Sequence, residues 1–283
     1  MTHGSRSPSE VGPSGGSPAA GAPAADVVVP LLAAEEPVLA DQVRVGAALA
    51  RARGLPLQVV APGAMGASER RREVTSGAEA ALLEWALERR EGAPARLGGG
   101  LLPGAGGLRV DSEVDTLVLP GDADSGVVRR RLLDRVALRT GCDVVTVNGR
   151  RGFDRPPSML LAVAGGPHSG VAAEVARRVA ADCDAWVDVL HVLPPDAPWS
   201  RRERAREVVE AACRRIGRPA TTSPWLLEAG DVADAIVEQS RYYELTVVGA
   251  PTKGQLRQLV FGSTERSVAA NARSVVLSAR AGE

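Results

Sequence analysis

Twice along this chain, short apolar runs rich in β-branched residues alternate with helical stretches, and the second series begins where the first ends. No other feature constrains the fold as much. In the first series, residues 27–32, 57–60, 115–119 and 144–147 read as strands, with helices at 38–53, 79–90 and 127–139. A further strand is expected near 108–110, after a glycine-rich stretch at 92–107. The segment 148–157, NGRRGFDRPP, has the Gly, Pro and charge of a linker. The second series then places strands at 160–163, 187–192, 223–227, 245–248 and 275–277, and helices at 171–181, 201–216, 231–240 and 264–271. Strands joined through helices must run parallel, because the helix returns the chain to the same end of the sheet. The expectation is an α/β protein of two tandem five-stranded parallel-sheet, Rossmann-like domains, at 26–150 and 158–283. A repeat of this length is too long for a solenoid unit and suits two homologous domains.

Composition narrows the function. Lys+Arg and Asp+Glu balance at 34 each, so no net field favours nucleic acid or an anionic membrane. Three cysteines, Cys142, Cys183 and Cys213, have neither the even number of a disulfide framework nor the spacing of a zinc site. No metal is expected. Residues 1–25 are Gly, Pro, Ser and Ala with almost no large apolar side chains, a composition that cannot offset the entropy of ordering, and they read as a disordered tail. That tail lacks the apolar core of a secretory signal, and nowhere does the chain hold about 18 uninterrupted apolar residues. A cytoplasmic protein without membrane insertion is expected.

The stretch LTVVGAPTKGQLRQLVFGST, residues 245–264, carries the chemistry. A strand buried on both faces ends at Gly249, a short loop follows, and Gly262-Ser263-Thr264 opens the next helix. Glycines admit close backbone approach to an anion, and the free N–H groups of a helix start supply donors and a favourable dipole. Lys253, the single lysine, stands beside Gly254 in this loop, where it can reach a phosphate. Against this, Gly249 and Gly262 can equally serve only to shape a strand-to-helix turn. His168 lies in a loop after a strand and His191 on a strand, the positions of a solvated and a buried histidine. Cys183 and Cys213 fall in or beside helices as packing residues. No nucleophile, base and acid stand together in the sequence, and no catalytic residue is assigned.

The second half resembles the universal stress protein family. Four segments carry the resemblance in order: LAVAGGPHS (161–169), LHV (190–192), EAGDVADAI (228–236) and VVGAPTKGQLRQLVFGST (247–264). The resemblance implies a five-stranded fold of the adenine nucleotide alpha hydrolase-like type and, in one subgroup of the family, ATP binding. That subgroup's pattern is glycine, two residues, glycine, nine residues, glycine, Ser/Thr. Here Gly249, Gly262 and Ser263 match, while Thr252 stands at the second glycine, with Gly254 nearby to compensate. Val192 falls where backbone contacts to adenine are implied, and Ala164 where the family's aspartate on the ribose or adenine side is implied. The first half resembles the family through strand order and helix spacing alone; its Gly-Ser pair aligns near Arg130 and Arg131, so it reads as degenerate.

The resemblance implies a non-catalytic tandem protein whose second domain binds an adenine nucleotide such as ATP weakly, through Val192, Gly249, Thr252, Lys253, Gly254, Gly262, Ser263 and Thr264. Such proteins are similar to regulatory domains that accompany membrane transporters, which makes a transporter the kind of partner expected. Family members pair through their last strands, so the runs at 144–147 and 275–277 are expected to meet antiparallel, as a pseudo-dimer within one chain. The alternative on the same fold is a nucleotide-hydrolysing or nucleotidyl-transferring enzyme.

Overall fold

The computed structural model describes residues 26–30, 36–62, 68–74, 80, 81, 83, 84, 86, 114–121, 141–149, 152–249 and 263–282. The tail at 1–25, the strand expected near 108–110 and the helix expected at 127–139 lie outside them, and of the helix expected at 79–90 only residues 80, 81, 83, 84 and 86 are described, all helical.

In chain order the elements are β1 (Asp26–Pro30), α1 (Glu36–Arg51), β2 (Pro56–Pro62), β3 (Ser68–Val74), β4 (Val114–Pro120), β5 (Asp143–Asn148), β6 (Ser158–Ala162), α2 (Pro167–Cys183), β7 (Trp186–Leu193), α3 (Trp199–Ile216), β8 (Thr222–Glu228), α4 (Val232–Gln239), β9 (Leu245–Gly249), α5 (Ser263–Asn271) and β10 (Val275–Arg280). The strands form one sheet in the order β3-β2-β1-β4-β5-β10-β9-β6-β7-β8. Most neighbours are parallel, as helical crossovers require.

One strand departs from the all-parallel expectation. β3 runs antiparallel to β2, pairing Pro56 with Val74 and Pro62 with Ser68. Only residues 63–67 separate the two strands, too few for a helical crossover and right for a hairpin. Its sequence, SERRREV, is mostly charged and has no apolar run to mark it as a strand. The edge of a sheet tolerates such a strand, and charge there discourages pairing with another chain.

β5 and β10 meet antiparallel at the middle of the sheet, Val144 opposite Arg280 and Asn148 opposite Val276. Every residue of β10 is buried, as are residues 144–148 of β5. The α1, α2 and α3 side of the sheet carries a single apolar core that crosses this seam, from Val27, Leu39 and Leu49 to Met159, Val175 and Leu277. On the opposite side, the residues split into a cluster around Leu117 and Leu119 in the first half and one around Leu160, Leu190 and Ile236 under α4 and α5 in the second.

Charge fastens the halves as well. Arg51 of α1 grips Asp182 of α2 through two bonds of 2.7 Å. Asp115 of β4 accepts from buried Arg178 of α2 at 3.1 Å and from Arg53. The connecting segment is docked between them: Phe153 is buried, its N–H donates to Asp41 Oδ1 at 3.2 Å, and its carbonyl accepts from Arg44 at 2.7 Å. Among the described residues, no helix is long and apolar enough to cross a membrane.

Candidate functional site

In the second half the chain passes from β6 outward to β7 and β8, then crosses to β9 on the other side of β6. The reversal opens a crevice at the carboxyl ends of β6 and β9, which is where open α/β sheets bind ligands. Five sequence-assigned positions lie at this edge: Ala164 follows β6, Val192 is the penultimate residue of β7, Gly249 ends β9, and Ser263 and Thr264 open α5. Thr252, Lys253, Gly254 and Gly262 lie outside the described residues.

Packing accounts for Gly249. A Cβ there would stand 3.0 Å from the backbone carbonyl of His168 and from the backbone nitrogen of Ser169, both in the first turn of α2. The missing side chain is what lets α2 come down onto β9, so this glycine has a structural use whether or not a phosphate binds beside it.

The loop between β6 and α2 is built from its own side chains. Gly165 and Gly166 have φ of 96° and 82°, a region that glycine enters without strain. Pro167 then opens the helix with its φ already set and no N–H to leave orphaned. Ser169 Oγ accepts from the N–H of Ala164 at 3.2 Å and of Gly165 at 3.0 Å, and bonds the Gly165 carbonyl at 3.0 Å. Those two N–H groups are thereby used inside the loop. The pair Gly165-Gly166 before a proline is a turn signal present in the sequence; the role of Ser169 depends on a hydroxyl folding back, which spacing does not reveal.

His168 and His191 both have structural partners. His168 Nδ1 accepts from the N–H of Ala281 at 3.1 Å, tying the start of α2 to the chain beyond β10. His191 Nδ1 lies 2.8 Å from the Val163 carbonyl, which can only accept, so Nδ1 carries the proton. Burial holds the His191 pKa below its ordinary value, against the pull of that bond, and the positive charge of Arg201 adds to the lowering. His191 is therefore a neutral ring at the top of β7.

The seam relates positions in the two halves. Taking Thr146 and Ser278, the middle pair of the seam, as equivalent maps Val144 onto Val276 and Asn148 onto Arg280. Following the neighbouring registers outward maps Leu117 onto Thr246, Val28 onto Leu160 and Gln58 onto Asp188. Pro120 then stands where the second half has Gly249, and Pro62 where it has Val192. Proline has no N–H, so a backbone donor available at Val192 is absent at Pro62.

Among the described residues, no group of three or more His, Cys, Asp or Glu is placed to hold a metal ion. The site offers backbone N–H groups and a helix start, which is chemistry for holding an anion.

No curated protein matches the chain. Among solved structures, a universal stress family protein from Burkholderia pseudomallei is similar at 25% identity, covering 43% of this chain and 94% of that one with a TM-score of 0.35. A universal stress protein from Archaeoglobus fulgidus in complex with dAMP is similar at 22% identity, over 43% and 96%, with a TM-score of 0.37. Another from Archaeoglobus fulgidus DSM 4304 is similar at 15% identity, over 61% and 62%, with a TM-score of 0.42. The model of the universal stress protein family matches residues 157–280. The segment that builds β6 to β10, with the switch point between β6 and β9, is thus the part of this chain that the universal stress protein family model matches.

Proposed function

We propose that the second half binds an adenine nucleotide without turning it over, and that the chain uses this binding to regulate a partner such as a membrane transporter. The observation that carries the reading is convergence: the family-matched segment brings Ala164, Val192, Gly249 and the start of α5 to one edge at the switch point of its strands. The phosphates lie at the start of α5, with Ser263 and Thr264, and the base end lies between Ala164 and the backbone of Val192. Gly262, Gly254, Thr252 and Lys253 complete the phosphate end. The first half is a degenerate copy of the second, sharing its strand order and forming with it a pseudo-dimer in one chain. Pro62 and Pro120 at the matching positions, together with the antiparallel β3, support that degeneracy.

Two measurements test the proposal. Nucleotide released by denaturing freshly purified protein identifies what is carried, and incubation with ATP at protein excess distinguishes retention from hydrolysis; steady turnover would favour the enzyme alternative. Titrations with ATP and GTP then locate the site. Gly262→Val, which places a β-branched side chain where the phosphates approach, is expected to abolish binding, and Ala164→Asp to strengthen ATP binding by roughly one decade, the worth of one charge-assisted hydrogen bond. Normal ATP binding by Gly262→Val would move the ligand elsewhere.

A further inference from the structure

Helix α3 starts above the carboxyl ends of the strands it packs on. A Cβ at Gly165 would stand 3.3 Å from Val208, which places the middle of α3 level with the β6–α2 loop. At 1.5 Å per residue, the start of α3 at Trp199 rises about 13 Å above that level, beyond the carboxyl edge of the strands. This overhang is one wall of the space in which a ligand at the switch point would lie.

One stripe of α3 faces that space. Val208 touches the loop at Gly165, and Arg215, seven residues on, lies 3.2 Å from where a Cβ of Gly170 would be. Both therefore turn towards α2. Helical periodicity puts Arg201 and Arg204, seven and four residues before Val208, on the same stripe, about 10 and 6 Å above it. Both are exposed, and neither makes a side-chain hydrogen bond or ion pair with a described residue. Their neighbours do: Arg202 pairs with Glu228 and also bonds the Ala197 carbonyl at 3.0 Å, while Arg206 pairs with Glu203 at 3.1 Å. Asp196, on the loop before α3, makes no ion pair with either arginine.

These cations also sit in an unfavourable place. The first turn of α3 has no acidic residue and no side-chain cap, so Arg201 faces the positive end of the helix dipole, where a cation costs stability. The loop they overlook, residues 163–169, contains no acid, and Ala164 holds the position where the resemblance implies an aspartate on the ribose or adenine side. Where a nucleotide site places an acid beside a ribose hydroxyl it selects the free hydroxyl, and where it places an arginine there it accommodates a phosphate on the ribose. Burial is the main reason the pKa of His191 is lowered, and the charge of Arg201 adds a smaller part.

We propose that Arg201 and Arg204 recognise a phosphate carried on the ribose of the bound adenine nucleotide, so that the preferred ligand is anionic at both ends. The inference rests on the nucleotide reading above and deepens it. The guanidinium fork matches a phosphate in geometry as well as charge.

Calorimetric titration of the full chain with AMP, adenosine 2′,5′-bisphosphate and adenosine 3′,5′-bisphosphate tests it, because these ligands differ by one ribose phosphate. At least one bisphosphate is expected to bind 10-fold or more tightly than AMP. The variant Arg201→Ala/Arg204→Ala is expected to lose that difference, and Arg206→Ala/Arg214→Ala, the same loss of two charges on the far face of α3, to keep it. Equal affinity for AMP and both bisphosphates, or a preference that survives in Arg201→Ala/Arg204→Ala, overturns the assignment while leaving nucleotide binding intact. A preference lost equally in Arg206→Ala/Arg214→Ala overturns it too, by reducing the effect to net charge. Absence of binding by all three ligands and by ATP at millimolar concentration overturns the nucleotide reading itself.

Discussion

Asp41 is the residue with the most unusual environment. It is fully buried in α1, its Oδ1 is held by the N–H of Phe153 and by Arg44, and its Oδ2 has no hydrogen-bond partner. Burial raises its pKa from 3.8 to about 6, against the lowering by Phe153 and Arg44. The folded chain thus keeps a proton that the unfolded chain releases between about pH 4 and pH 6, so stability falls across that window and the full cost is present above it. Asp41→Asn is expected to be more stable than the wild type at pH 8, by about 1–3 kcal/mol, and close to it at pH 4. Urea unfolding at both pH values checks this; a variant weaker at pH 8 would show that the charge itself holds the linker. At Gly249 the argument is steric. Gly249→Ala must push the first turn of α2 by a few tenths of an ångström, and about 1–2 kcal/mol of stability is expected to be lost in thermal or urea unfolding.

Helices α1 and α2 show how elements from distant parts of the chain are fastened. The Arg51 to Asp182 pair is bidentate and partly exposed, so a double-mutant cycle on Arg51→Ala and Asp182→Ala is expected to return a coupling of about 0.5–1 kcal/mol. Arg178 is buried and serves both Asp115 and Glu174, and Arg178→Ala leaves two acids short of a donor. A loss of about 3 kcal/mol or more is expected, because removing one partner of a buried pair strands the other. Burial would raise the Glu174 pKa, but the donors of Arg177 and Arg178 outweigh it and hold it at about 2 instead of 4.5. Its contribution is therefore complete above pH 4.5 and fades as the pH falls towards 2. An acid-unfolding midpoint that Glu174→Gln leaves unmoved would count against this network.

The whole molecule depends on its seam. Either half alone would present β5 or β10 as an open edge whose residues are buried on both faces in the full chain. A fragment of residues 152–283 is therefore expected to dimerise through β10, and light scattering across a concentration series measures it. A monomer at all concentrations, with β10 amides protected from exchange, would show that the edge closes by other means. The seam also explains why the core cannot be divided in two: the α1, α2 and α3 side is one continuous cluster across the boundary.

Among the described residues, most of the order of helices and strands was legible in the sequence, because hydrophobic period and turn residues are local properties; the strands at 57–60, 187–192 and 245–248 and the helix at 201–216 lie within the elements observed. So was the end of β9 at Gly249. The tertiary structure decided the rest. β3 was hidden because an edge strand needs no apolar face, so SERRREV carries no period to read. The docking of Phe153 on Asp41, the Ser169 hydroxyl folded onto its own loop, and the stripe that sets Arg201 and Arg204 over Gly165 each depend on residues from separate elements meeting at hydrogen-bond or van der Waals distance. Helical spacing places Arg201 and Arg204 on one face of α3, but only the packing of Val208 against the β6–α2 loop turns that face towards the crevice.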